Sequence, residues 1–163
     1  MKAPFILAWE ITKACNLDCL LCRAAATPER DPAELTTDQG KGLLDDLAAL
    51  GTRMVILSGG EALMRPDALE LARHGGRAGL RMTLATNGAL ATPEMAREIH
   101  ASGIVRVSVS LDGVTPEVHD KLRGRLRRPE DLQTFRPKGI DHASSQRRLG
   151  ADHSHADFLV LGQ

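Results

Sequence analysis

The chain has 163 residues, close to the size of a single domain, with 42% apolar residues and no apolar run long enough to cross a bilayer. Its 21 basic and 21 acidic residues cancel, and its aromatics are limited to Phe5, Trp9, Phe135 and Phe158. Balanced charge and few stacking platforms argue against nucleic acid or an anionic membrane as partner and favour a small molecule. No basic segment followed by an apolar one opens the chain at Met1-Lys2-Ala3-Pro4, so a cytoplasmic location is expected, where a reducing environment keeps thiols free.

Phe5 to Thr12 reads as the first strand, and it leads directly into Ala14-Cys15-Asn16-Leu17-Asp18-Cys19-Leu20-Leu21-Cys22. Thr37 is expected to cap a first helix, which carries Leu43, Leu44, Leu47 and Leu50 on one face and stops at Gly51. Arg53 to Leu57 is the second strand, apolar throughout as a strand buried on both faces would be, and Pro66 opens a second helix. Arg81 to Ala85 and Val105 to Leu111 are the third and fourth strands. Thr92-Pro93-Glu94 starts a third helix ending near Gly103, and Thr115-Pro116-Glu117 starts a fourth. Strands alternating with helices of this length predict a parallel sheet whose strand C-termini share one edge, the edge where such folds hold ligands.

Each strand is followed at that edge by a polar or glycine-rich signature. The cysteine loop follows the first, Ser58-Gly59-Gly60-Glu61 the second and Thr86-Asn87-Gly88 the third, while Ser108, Ser110, Asp112 and Gly113 lie in and after the fourth. Taken singly, Gly59-Gly60, Asn87-Gly88 and Asp112-Gly113 are ordinary turn chemistry, because glycine and asparagine accept positive φ. Together they place four signatures at one edge and define a candidate site.

Cys15, Cys19 and Cys22 are the only cysteines. Three thiolates can hold three irons of a four-iron cluster and leave the fourth open to an exogenous ligand. The spacing by itself leaves open a zinc site, which would prefer paired C-x2-C units and a fourth ligand, and inert or redox-sensing thiols.

The C-x3-C-x2-C loop after the first strand and Gly59-Gly60-Glu61 after the second resemble the radical SAM enzymes over residues 5 to 124. That resemblance implies an α/β fold, the N-terminal part of a partial (βα)6 barrel with about four βα units. It also implies a 4Fe-4S cluster on Cys15, Cys19 and Cys22, whose open iron is chelated by S-adenosyl-L-methionine. The implied reaction is reductive cleavage of that cofactor to a 5′-deoxyadenosyl radical, with reduced flavodoxin or ferredoxin as electron donor. Gly59 and Gly60 would let the backbone approach the methionyl end, and Glu61 would accept from its ammonium. Thr86 and Ser110 would meet the carboxylate or ribose, and Asp112 is a further cofactor-binding candidate or the start of a turn.

Within the family the wording is most similar to the subgroup that tailors haem precursors, such as alternative haem b synthase. The residues carrying this are Ala8-Trp9-Glu10-Ile11-Thr12, Cys22-Arg23-Ala24-Ala25, and Ser108 to Gly113 followed by His119-Asp120 and Arg123-Gly124. The implied substrate is an iron porphyrin whose propionates are oxidatively decarboxylated; related subgroups that modify ribosomal peptides share much of the wording. Leu21 and Ala62 depart from the residues many relatives carry there, without removing a ligand.

After Gly124 the βα rhythm stops. Residues 1–124 are therefore read as an incomplete radical SAM core and 125–163 as an irregular tail, with periodicity returning only at Phe158 to Leu161 and a frameshifted or truncated reading frame as the expected origin. His142, His153 and His155 read as a solvated stretch rather than a metal site, and no cysteine beyond Cys22 remains for a second cluster. On this reading the fourth strand lacks a neighbour, which would leave the chain marginally stable.

Overall fold

The computed structural model describes residues 3–124 and the backbone of Asp157–Leu161. Five parallel strands form one sheet: β1 (Ile6–Thr12), β2 (Met54–Gly59), β3 (Arg81–Thr86), β4 (Arg106–Ser110) and β5 (Asp157–Leu161), in the order β1-β2-β3-β4-β5. Between and after the first four run α1 (Thr37–Leu50), α2 (Ala68–Arg77), α3 (Pro93–Ala101) and α4 (Pro116–Arg123), with a single 3-10 turn at Ala62–Met64.

Strand alternation decides the two faces. Val55, Leu57, Met82, Leu84 and Val107 are buried and pack with Leu44 and Leu47 of α1 and Leu71 and Ala72 of α2 into one core. Ile6, Ala8 and Glu10 on the opposite face are exposed, and Met54, Ile56, Ser58, Ser108 and Ser110 there are only half-buried. Helices thus cover one face, and the face bearing Ser108 and Ser110 stays open.

The expected boundaries agree within a residue or two, but two helix starts and one strand's pairing are made differently from expectation. Thr36, not Thr37, caps α1: its hydroxyl accepts from Gln39 N while the Gln39 side chain accepts from Thr36 N, a reciprocal capping box. Thr37 instead donates to Asp67 Oδ2 at 2.8 Å. Pro66 does not open α2, which starts at Ala68 because the intervening Asp67 is held by Arg65.

The third difference concerns the sheet. The fourth strand does have a neighbour: β5 pairs with β4 from Arg106↔Asp157 to Ser110↔Leu161. The backbone groups expected to be unpaired along that edge are used in the ladder, which removes the stated reason for marginal stability. His142, His153 and His155, like the rest of 125–156, lie outside the described residues.

Candidate cluster and cofactor site

The site is built from the C-terminal end of β1 outward. Pairing of β1 with β2 shifts between Glu10 and Thr12, so Ile11 and Thr12 are buried consecutively and the chain is turned out of the ladder. Arg65, 2% exposed, grips this bend: its Nη1 donates to Ile11 O at 2.7 Å, its Nη2 to Leu35 O at 2.9 Å, and its Nε and Nη2 to the two Asp67 oxygens at 2.8 Å. Burial pushes the Asp67 carboxyl up, but the Arg65 and Thr37 hydrogen bonds outweigh it and bring its pKa to about 2. Glu34 holds the same bend from the other side, accepting from Thr12 Oγ1 and Lys13 N, each at 2.9 Å.

The glycine pair meets this bend edge on. Gly60 N donates to Thr12 O at 2.9 Å and Glu61 N to Ala14 O at 2.8 Å. A Cβ on Gly59, whose φ is 143°, would lie 2.2 Å from Thr12 O, and one on Gly60 would lie 2.5 Å from Ala14 O. What the missing side chains admit, in the chain itself, is the backbone that enters the cysteine loop.

Glu61 is fully buried. Its Oε1 accepts from Leu63 N at 3.0 Å and from Thr86 Oγ1 at 2.8 Å, and its Oε2 from Asn87 N at 2.7 Å. Burial raises its pKa, opposed by those three donors. Glu61 and Thr86, assigned separately from sequence, are thus direct partners, and the carboxylate already ties the second signature to the third.

Cys15 is buried, Cys19 half-buried and Cys22 exposed, and all three are free thiols. Cys15 N donates to Thr27 O at 2.7 Å, and Thr27 N to Lys13 O at 2.9 Å, so the loop closes on itself through an isolated bridge between Ala14 and Thr27. Leu17 N approaches Cys15 Sγ at 3.5 Å, Ala26 N approaches Cys22 Sγ at 3.4 Å, and Asn87 Nδ2 approaches Cys15 Sγ at 3.8 Å. Burial pushes the Cys15 thiol up; the Leu17 amide opposes this, while the negative charges of Glu61, Cys19 and Cys22 add to it. Asn16, 1% exposed, accepts from Asn87 Nδ2 at 2.8 Å, and its own Nδ2 finds no acceptor among the described residues.

The fourth signature is arranged differently. Asp112 forms an ion pair with Arg123 Nε at 2.6 Å, and its amide approaches His119 Nδ1 at 3.3 Å. Ser110 ends β4 on the open face, opposite Leu161 of β5. The end of α4 reaches the cysteine loop, where Leu20 N donates to Leu122 O at 3.0 Å and a Cβ on Gly124 would strike Asp18 O. A shallow groove of about 410 Å³, lined by Arg30, Asp31, Glu34 and Thr37 among others, contains none of the predicted site residues.

The donor set fits an iron–sulfur cluster. A four-iron cluster spreads its three thiolates over three irons, and N–H donors directed at Cys15 and Cys22 suit anionic sulfur. Sequence reasoning missed Arg65, Asn16 and the Arg123 partner of Asp112. Arg65-Pro66-Asp67, a charged pair beside an apolar turn, was the available signal for the first.

A parallel α/β sheet with a three-cysteine loop at the C-terminal end of its first strand, locked to a glycine–glutamate turn after its second, defines the class as a partial βα barrel with a cysteine loop at its ligand edge. The chain belongs to the radical SAM superfamily, whose sequence model matches residues 9–143 and so runs past Gly124. It is 52% identical over 123 residues to the AdoMet-dependent heme synthase of Methanosarcina barkeri, covering 76% of this chain and 35% of that protein. It is 43% identical over 123 residues to the Fe-coproporphyrin III synthase of the same organism, covering 76% and 30%. It is 41% identical over 124 residues to the mycofactocin maturase MftC of Mycobacterium tuberculosis, covering 76% and 32%. The chain therefore spans about a third of the length of these relatives. Streptococcus suis SuiB bound to S-adenosylmethionine shares the fold, with a TM-score of 0.64 at 21% identity over 77% of this chain and 29% of that one. No helix among the described residues is long and apolar enough to cross a membrane.

Proposed function

We propose that this chain carries the cluster- and cofactor-binding part of a radical SAM enzyme acting on the propionates of an iron porphyrin in haem biosynthesis. The observation that supports it most is the junction of three signatures: Gly60 and Glu61 bonded to the carbonyls entering the cysteine loop, and Asn87 bonded to both Glu61 and Cys15. Cys15, Cys19 and Cys22 would hold the 4Fe-4S cluster, and the turn from Gly59 to Glu61, with Thr86, Ser110 and Asp112, would line the S-adenosylmethionine site. When bound, cluster and cofactor supply one-electron reductive cleavage of the sulfonium. The chain's own contribution is to fix the loop, bury Cys15 and shield the Glu61 carboxylate from water. Reduced flavodoxin or ferredoxin is the proposed electron donor.

The porphyrin reading rests on the higher identity to the heme synthase; the 41% identity to the mycofactocin maturase, together with the likeness of the motif wording to subgroups that modify ribosomal peptides, keeps a ribosomal peptide as the second reading. Anaerobic reconstitution with iron and sulfide, then reduction with S-adenosylmethionine, should give a brown protein that releases 5′-deoxyadenosine. Cys19→Ala should abolish the visible absorbance, and unchanged iron in that variant would refute the ligand assignment. A colourless protein with stoichiometric zinc would overturn the reading. Consumption of an iron porphyrin rather than a peptide separates the two substrates.

A further inference from the structure

Two amide side chains form a directed relay ending at Cys15. Ala89 N donates to Asn87 Oδ1 at 2.8 Å, which fixes the way that amide faces. Asn87 Nδ2 is thereby directed to Asn16 Oδ1 at 2.8 Å and to Cys15 Sγ at 3.8 Å. Because Asn16 Oδ1 serves as the acceptor, its Nδ2 is the remaining end, and it is buried without an acceptor among the described residues. Flipping the Asn87 amide would set its oxygen against Asn16 Oδ1; flipping Asn16 would set two donors face to face. A buried, unused donor on the residue after a cluster-ligand candidate is costly unless something anionic arrives to accept from it.

We propose that Asn87 and Asn16 are positioning residues that donate N–H hydrogen bonds to the sulfurs of the cluster held by Cys15 and so raise its reduction potential. Asn87 acts at the Cys15 thiolate, and the unused Asn16 amide is the second donor available to the bound cluster. The inference rests on the reading of Cys15, Cys19 and Cys22 as cluster ligands. One electron from a reduced donor enters the cluster, no bond forms or breaks, and the added negative charge falls partly on sulfur. An N–H donor stabilises that more negative state over the oxidised one. The backbone N–H of Asn87 also donates to Glu61 Oε2, so the residue that touches the thiol is anchored to the glycine–glutamate turn.

The test is reconstitution of the full chain with ferrous iron and sulfide, iron and sulfide counts, an EPR-monitored dithionite titration, and thermal melting of the metal-free protein. Asn16→Leu is expected to load iron as the wild type does and to shift the midpoint potential to a more negative value, with a lower melting temperature without metal because Asn87 Nδ2 loses its acceptor. Asn16→Asp keeps the acceptor for Asn87 and replaces the donor with a carboxylate oxygen, so a larger negative shift is expected; it also serves if the leucine variant fails to fold. Asn87→Leu should shift the potential in the same direction and lower the metal-free melting temperature, since Ala89 N and Asn16 Oδ1 lose their partner. Wild-type midpoints in both Asn16 variants, with iron content intact, would overturn the inference alone. A wild-type chain that takes up no iron would overturn it together with the cluster reading.

Discussion

The cysteine loop has two halves that the fold treats oppositely. Its entry, Ile11 to Asn16, is buried except at Lys13 and gripped by Arg65, Glu34, Gly60, Glu61 and Thr27. Its exit, Cys19 to Cys22, carries Leu20 at 68% and Leu21 at 81% exposure, an exposed Cys22, and one backbone bond from Leu20 to the end of α4. The entry therefore presents one cysteine tied down by several hydrogen bonds, while the exit presents two on a more exposed segment. Positional precision comes from backbone bonding to β1 and the glycine turn, whereas the exit exposes Leu20, Leu21 and Cys22.

The largest expected effect falls on the entry. Gly59→Ala places a Cβ 2.2 Å from Thr12 O at a positive φ, so a loss of about 3 kcal/mol or more is expected, read as a lowered urea midpoint with an unchanged slope. A near-neutral result would show that the bend at Thr12 yields. Arg65→Met leaves Ile11 O, Leu35 O and Asp67 without their donor, and should cost roughly 3–5 kcal/mol by the same measurement.

Glu61→Gln keeps the shape but turns one acceptor into a donor facing N–H or O–H groups, so a loss of about 1–3 kcal/mol is expected. Asp67 makes the comparison depend on pH. Its folded value of about 2 lies below the ordinary 3.8, so its stabilisation is fully present above about pH 4 and is lost as pH falls toward 2. After solvent screening this amounts to on the order of 1 kcal/mol, and Asp67→Asn should remove that share of the acid dependence in unfolding curves. Smallest of all, Leu21→Ser at the exit should change metal-free stability by less than about 0.5 kcal/mol. A large loss there would mean that the exit is covered in the folded protein.

Much of this was legible in the chain. Strand positions followed from short apolar runs closed by glycine or polar signatures, and Thr92-Pro93 and Thr115-Pro116 marked two helix starts because a capping hydroxyl followed by proline suits the first turn. The placement of four signatures at one edge followed from βα alternation. Cap choice between Thr36 and Thr37 was not legible, because either hydroxyl can cap and only the distant Asp67 claims one of them. Nor was the partner of β4, since residues 125 to 156 separate Gly124 from the strand that pairs with it and no local pattern reports so remote a contact.

The sequence by itself determined which groups are available: three thiols at a spacing suited to a cluster, two adjacent glycines, a glutamate, and the alternation that brings them to one edge. Only the tertiary structure decided how they are used. It turned Gly59 and Gly60 toward the Thr12 and Ala14 carbonyls, buried Glu61 against Thr86 and Asn87, and left one buried amide hydrogen-bond donor of Asn16 unused among the described residues. The reason is physical: residue type sets what a group can donate or accept, whereas burial and partner choice depend on which backbone atoms folding brings within hydrogen-bond reach.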